Sequence, residues 1–133
     1  MELEKVFENV CQVIETSIGT PKETIKLEDT LFVDLGVDSI DLVDILYELE
    51  TLYDIELKVS DIEARAKSEL GDIPYEKDGI ITKEGLEAIK VYMGEIDQNE
   101  FSEGLSVHKL VQLFTVHSLC KIVMYRIENI ESE

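Results

Sequence analysis

Ser39 sits in the stretch G-V-D-S-I-D, residues 36–41, flanked by Asp38 and Asp41 and followed by a long apolar-patterned run. A serine hydroxyl becomes a nucleophile when a positioned base takes its proton, and neighbouring carboxylates do this poorly compared with a histidine. The strand–turn–helix signature of serine hydrolases requires G-x-S-x-G; here Ile40-Asp41 follow the serine and no strand pattern precedes it. His108 and His117 lie far along the chain in helical patterns. No convergent set of acid, base and nucleophile appears, so the chain does not read as an enzyme and no catalytic residue is assigned.

Phosphate chemistry suits the position better. Asp38 is a good helix N-cap, Ser39 is the first helical residue, and Asp41 stands at the third position as an acidic variant of the capping box. A helix N-terminus offers open amides and a positive dipole end, so a phosphodiester on the Ser39 oxygen would be favourably placed. The flanking aspartates repel it but would let a modifying enzyme hold Mg²⁺ between carboxylate and substrate phosphate. An ordinary capped helix explains the same six residues.

Metal sites are weaker. His117-x-x-Cys120 has ligand types at helical spacing, but only Cys11 and His108 remain to complete a zinc site. The stretch PYEKDGIITKEG, residues 74–85, places Glu76, Asp78, Gly79 and Ile81 like a calcium loop. Its first and twelfth positions are Pro74 and Gly85, so the chelating ends are missing. No metal is assigned.

The elements that must hold Ser39 are helical. Leu3, Val6, Phe7, Val10, Val13 and Ile14 predict a first helix over about 2–17, ended by Gly19 and Pro21. Residues 18–38 form a long loop anchored by Leu31 and Leu35. The second helix begins at Ser39, with Leu42, Ile45, Leu46, Leu49 and Leu52 as its core stripe. Ile40, Val43 and Tyr47 form a second apolar line among Asp41, Asp44, Glu48 and Glu50, which a single buried face does not require. Ser60 is placed to cap a helix over about 61–69, Thr82 another containing Leu86, Ile89, Lys90 and Met93, and Ser106 a short one over 107–113. Thr115 opens the last, with Val116, Leu119, Cys120, Val123 and Ile127 in register. Strand-like alternation is scarce, and the fold class is all-α.

Composition agrees. The 133 residues suffice for one domain with its own core. Thirty acids against twelve Lys and Arg give a net charge of −18, which repels nucleic acid and anionic membrane and suits a partner with a basic patch. Two cysteines far apart, in apolar patterns, indicate buried thiols and a reducing, cytoplasmic compartment. The segment MELEKVFENV lacks the features of a signal peptide, and no apolar run is long enough to span a bilayer. No stable membrane insertion is expected.

Taken more widely, L-F-V-D-L-G-V-D-S-I-D-L-V-D-I-L-Y-E-L-E, Leu31 to Glu50, resembles the acyl carrier proteins of fatty-acid and polyketide synthesis. Their D-S-L motif opens the second helix; Ile40 stands here in place of Leu. Leu113-Phe114-Thr115-Val116, followed by Leu119 and Val123, is similar to the family's last helix. The resemblance covers residues 1–57 and 105–130. It implies a four-helix bundle with a long first loop. It also implies Ser39 esterified by 4′-phosphopantetheine from coenzyme A, through a phosphopantetheinyl transferase, with Asp38 as the adjacent acid. An acyl chain would ride as a thioester on the arm. Asp41, Asp44 and Glu48 would form the acidic recognition face, with Ile40, Val43 and Tyr47 as its apolar contacts. Leu42, Leu46 and Val116 would border the acyl cavity. Partners would be ketoacyl synthases, other acyl synthases or acyltransferases carrying basic patches, and the chain would be a monomer. A bulky Tyr47 would narrow the partner set.

The departure is an insert of residues 58–103 within a single carrier domain, with two predicted helices. The stripe Leu86, Ile89, Met93 must pack on something, and docking on the bundle is expected. The insert suggests a specialised carrier. The alternative reading is an unmodified acidic helical interaction module.

Overall fold

The computed structural model describes residues 2–58 and 60–131. Among them are six α-helices: α1 Leu3–Ile18, α2 Ser39–Tyr53, α3 Asp61–Leu70, α4 Lys83–Tyr92, α5 Val107–Gln112 and α6 Val116–Glu131. Two two-residue strands, β1 Glu76–Lys77 and β2 Ile80–Ile81, form the sheet. The fold is all-α, as its periodicity requires. The chain divides into two compact units: one runs to Lys58 and resumes at Phe114, and the intervening segment to Leu113 forms the other.

In the first unit α1 packs against both α2 and α6. Val6, Val10 and Ile14 are buried from α1, Leu42, Ile45, Leu46 and Leu49 from α2, and Leu119, Ile122 and Val123 from α6. Removing each such side chain from water stabilises the unit by about 1.5–3 kcal/mol. Across the helices, the Asn9 side-chain amide donates to the Tyr53 hydroxyl at 2.7 Å. Gly19, at φ 82°, closes α1 in the left-handed conformation that glycine takes without penalty, its amide donating to the Glu15 carbonyl. Leu52 departs from the predicted core stripe of α2: it is 55% exposed. It lies on nearly the same side as Ile45 but in the last turn of α2, so its exposure reflects its place at the helix end and not a change of face.

The long loop is stitched to the start of α6. The Leu31 amide donates to the Phe114 carbonyl, Val116 to Asp29 and His117 to Leu27, at 2.9–3.0 Å. The Ser118 amide donates to Thr115 Oγ1 at 3.1 Å, and the Leu119 amide to the Thr115 carbonyl. The first four amides of α6 are thereby satisfied, so this helix end can be buried without cost. Thr115 caps as its sequence position predicts.

In the second unit α3 packs on α4, and the stripe of Leu86, Ile89 and Met93 is buried. Thr82 caps α4, its hydroxyl accepting from the Gly85 amide at 3.0 Å. Gly85 must be glycine: a Cβ there would stand 2.2 Å from the Tyr75 carbonyl oxygen. Ser106 caps α5 through the Lys109 amide at 2.9 Å. Ser60 occupies the predicted cap position of α3 but makes no capping hydrogen bond, because its backbone is already helical rather than extended. The calcium-like stretch is a hairpin. Glu76 pairs with Ile81, Lys77 with Ile80, and Asp78-Gly79 turn at φ 54° and 84°. Glu76 accepts the Gly79 amide at 2.8 Å. Residues 105–107 join this hairpin: the Ile81 amide donates to Leu105 and the Val107 amide to Gly79, both at 2.9 Å.

Candidate functional site

Ser39 opens α2 and is exposed. Its neighbours do the capping. The Asp41 amide donates to Asp38 Oδ1 at 2.8 Å, and the Asp38 amide to Asp41 Oδ2 at 3.2 Å. The Leu42 amide donates to the Asp38 carbonyl at 2.9 Å. The Ser39 hydroxyl makes no hydrogen bond among the described residues, and the Ser39 and Ile40 amides have no protein acceptor there. The end of α2 therefore differs from that of α6: its first two donors and one hydroxyl remain open to an incoming anion. A phosphodiester on this oxygen would meet free amides and the positive end of a helix of 15 residues. The residues fit such a group.

Around this hydroxyl the surface is acidic and apolar together. Ile40 is 73% exposed, and Val43 and Tyr47 are 64% exposed. Asp44 and Glu48 are exposed beside them. The structure thus brings Ile40, Val43, Asp44, Tyr47 and Glu48 to solvent on one helix. Asp41 is half-buried and shares its carboxylate with the cap. From Leu27 to Leu57 there are ten acids and no Lys or Arg. Leu42, Leu46 and Val116 are buried. A separate cavity of about 320 Å³ is lined by Phe7, Glu8, Cys11 and Lys22.

The chain contains a sequence match to the phosphopantetheine attachment site family over residues 8–70. An acyl carrier protein of Clostridium acetobutylicum is 40% identical over 68 residues, 51% of this chain and 86% of that relative. The chain belongs to the acyl carrier protein family. An acyl carrier protein of Thermotoga maritima is 34% identical over 70 residues, 53% of this chain and 84% of its own length. One from Campylobacter lari is 33% identical over 64 residues, 48% and 83%. No solved structure matches. Members of this family are carriers and not enzymes, and their cofactor is 4′-phosphopantetheine. Bound, that arm supplies a thiol on which an acyl group travels as a thioester. This carrier has no described helix long and apolar enough to cross a membrane.

Three features of the carrier escaped the sequence reading. Val33 is 80% exposed, between the loop anchors Leu31 and Leu35. Cys11 lines a cavity as well as the core. Glu63 on α3 is buried, with only 9% of its surface exposed, and burial raises its carboxyl above the usual range. The Tyr75 hydroxyl lies close to this carboxyl without completing a well-aligned hydrogen bond. The spacing Ile62, Glu63, Ala66 put Glu63 on the helical core face, a signal that its charge concealed.

Proposed function

We propose that Ser39 carries the 4′-phosphopantetheine arm and that the protein shuttles an acyl chain on it between cytoplasmic enzymes of fatty-acid, lipid or polyketide-type synthesis. The observation that carries this reading is the uncommitted Ser39 hydroxyl at an open helix N-terminus, capped by its neighbours. In the attachment step Ser39 Oγ bonds to the phosphorus that bears pantetheine. The bond from that phosphorus to the bridging oxygen of coenzyme A breaks. 3′,5′-ADP leaves with that oxygen, and the serine proton passes to a base of the transferase. Asp38 directly precedes Ser39 in the chain, so its carboxylate can help hold Mg²⁺.

Ile40, Val43 and Tyr47 act as the apolar contacts for partner enzymes, and Asp44 and Glu48 steer basic patches toward them. Asp41 contributes chiefly by fixing the first turn. Leu42, Leu46 and Val116 are the walls that would part for the acyl chain. The insert marks a specialised pathway.

Intact mass after incubation with coenzyme A, Mg²⁺ and a promiscuous phosphopantetheinyl transferase tests this, with Ser39→Ala alongside. One phosphopantetheine added to the parent and none to the variant is the expected result. No gain in the parent, with a control carrier modified in the same tube, would overturn it in favour of an unmodified interaction module.

A further inference from the structure

The loop before Ser39 is built to present one side chain. The Thr30 amide donates to Asp34 Oδ2 at 2.8 Å, and the Asp34 amide donates back to Thr30 Oγ1 at 3.0 Å. The Leu35 amide donates to the Thr30 carbonyl at 3.1 Å, and the Val37 amide to the Leu31 carbonyl at 2.8 Å. Leu31 and Val37 are buried beneath this clasp. Val33 stands at its outer edge, 80% exposed, the most exposed large apolar side chain among the described residues. A stiff β-branched residue held on an ordered turn loses little entropy when a partner covers it.

Val33 also lies on the loop that leads into Ser39. Leu31 and Val37 are joined by a hydrogen bond. Val33 is two residues from one end of it and Ser39 two residues from the other. Each two-residue span is at most about 7 Å, so Val33 lies within roughly 20 Å of Ser39, inside the footprint of one docked partner. An enzyme that bonds phosphorus to Ser39 Oγ must bring its own surface down onto this mouth. An enzyme that works on the thioester acts at the far end of the arm, so its contacts with α2 need not extend to this loop. The clasp and Asp34 add to an exclusively acidic stretch, which fits the same basic surface that covers α2.

The geometry points to Val33 as a specificity-determining contact for the phosphopantetheinyl transferase, on the loop side of Ser39. This rests on Ser39 being the modified residue. The partner's surface at this point is apolar, ringed by cations.

The test compares Val33→Ser, Val33→Leu and Val91→Ser, the last an equally solvent-facing valine of α4, 72% exposed. Phosphopantetheine incorporation is followed by mass at varied carrier concentration. Val33→Ser is expected to raise KM about three- to tenfold with kcat unchanged. Val33→Leu keeps the parent KM, and Val91→Ser does the same. Affinity for the transferase in a Ser39→Ala background, where no chemistry follows, falls by the same factor when Val33→Ser is added. Melting temperatures of all variants match the parent, since these side chains are exposed. An unchanged KM and affinity for Val33→Ser, or an equal loss in Val91→Ser, would overturn the inference while leaving modification of the parent intact. Failure of the parent itself to gain mass would instead defeat the assignment of Ser39.

Discussion

Asp38 and Asp41 cap one another across the first turn of α2, through amide-to-carboxylate hydrogen bonds of 2.8 and 3.2 Å. Two acids therefore do the work for which serine is often used at helix starts, and the Ser39 hydroxyl between them has no capping role. Asp38→Ala is expected to lower stability by about 1 kcal/mol and Asp41→Ala by a similar or smaller amount. Ser39→Ala should stay within about 0.5 kcal/mol of the parent. Urea denaturation measures all three. If Ser39→Ala were as costly as Asp38→Ala, the serine would belong to the cap.

Glu63 gives the second unit a pH dependence of unusual sign. Its carboxyl is raised mainly by burial; Tyr75 and Lys67 lower it and Glu76 raises it further. The folded state thus holds a proton over a window where the unfolded chain, with an ordinary carboxyl near about 4.3, has released it. Stability falls as pH rises through that window and stays reduced above it. Glu63→Gln removes the penalty. The variant should exceed the parent in stability at neutral pH, with the difference shrinking as pH falls toward the ordinary carboxylate range. Denaturation series at several pH values test this; a difference independent of pH would refute it.

Both cysteines carry free, buried thiols. Burial first, and Asp29 second, push Cys11 up to about 11; burial and then Cys11 push Cys120 up to about 12. At pH 8 the thiolate fraction is on the order of one in a thousand or less, so neither attacks a disulfide reagent readily. The unmodified protein should show no fast-reacting thiol until it is unfolded, when two appear. The phosphopantetheinylated protein should show one fast thiol, that of the arm. A rapid thiol in the unmodified chain would contradict the burial.

Charge repulsion should limit stability at low ionic strength. Asp41 and Asp44, and Asp44 and Glu48, are like-charged neighbours on α2, each pair costing about 0.2–0.5 kcal/mol. The ion pairs Lys5–Glu8 and Lys58–Glu56 lie at 3.9 and 3.8 Å on exposed surface and offset little. Raising salt from low to moderate, or adding Mg²⁺, is expected to raise the melting temperature by several degrees, and calorimetry at two salt concentrations checks it. An unchanged value would show that the acids are already far enough apart.

Local sequence was sufficient wherever one side chain or one period carried the signal. The Asp38–Asp41 cap, the Thr82, Ser106 and Thr115 caps, and the solvent-facing line of Ile40, Val43 and Tyr47 all follow from spacing along a helix, which is short-range geometry. The family follows from the same contiguous stretch. Tertiary structure decided what spacing cannot encode. It left Leu52, in the last turn of α2, in water. It drew residues 105–107 to the hairpin through the Ile81–Leu105 and Val107–Gly79 hydrogen bonds. It gave the Leu86, Ile89 and Met93 stripe a partner in α3. It buried Glu63 and exposed Val33, against the polarity of each. These outcomes depend on which distant backbone carbonyl or side chain fills a given space, and that is fixed only when the chain has closed on itself.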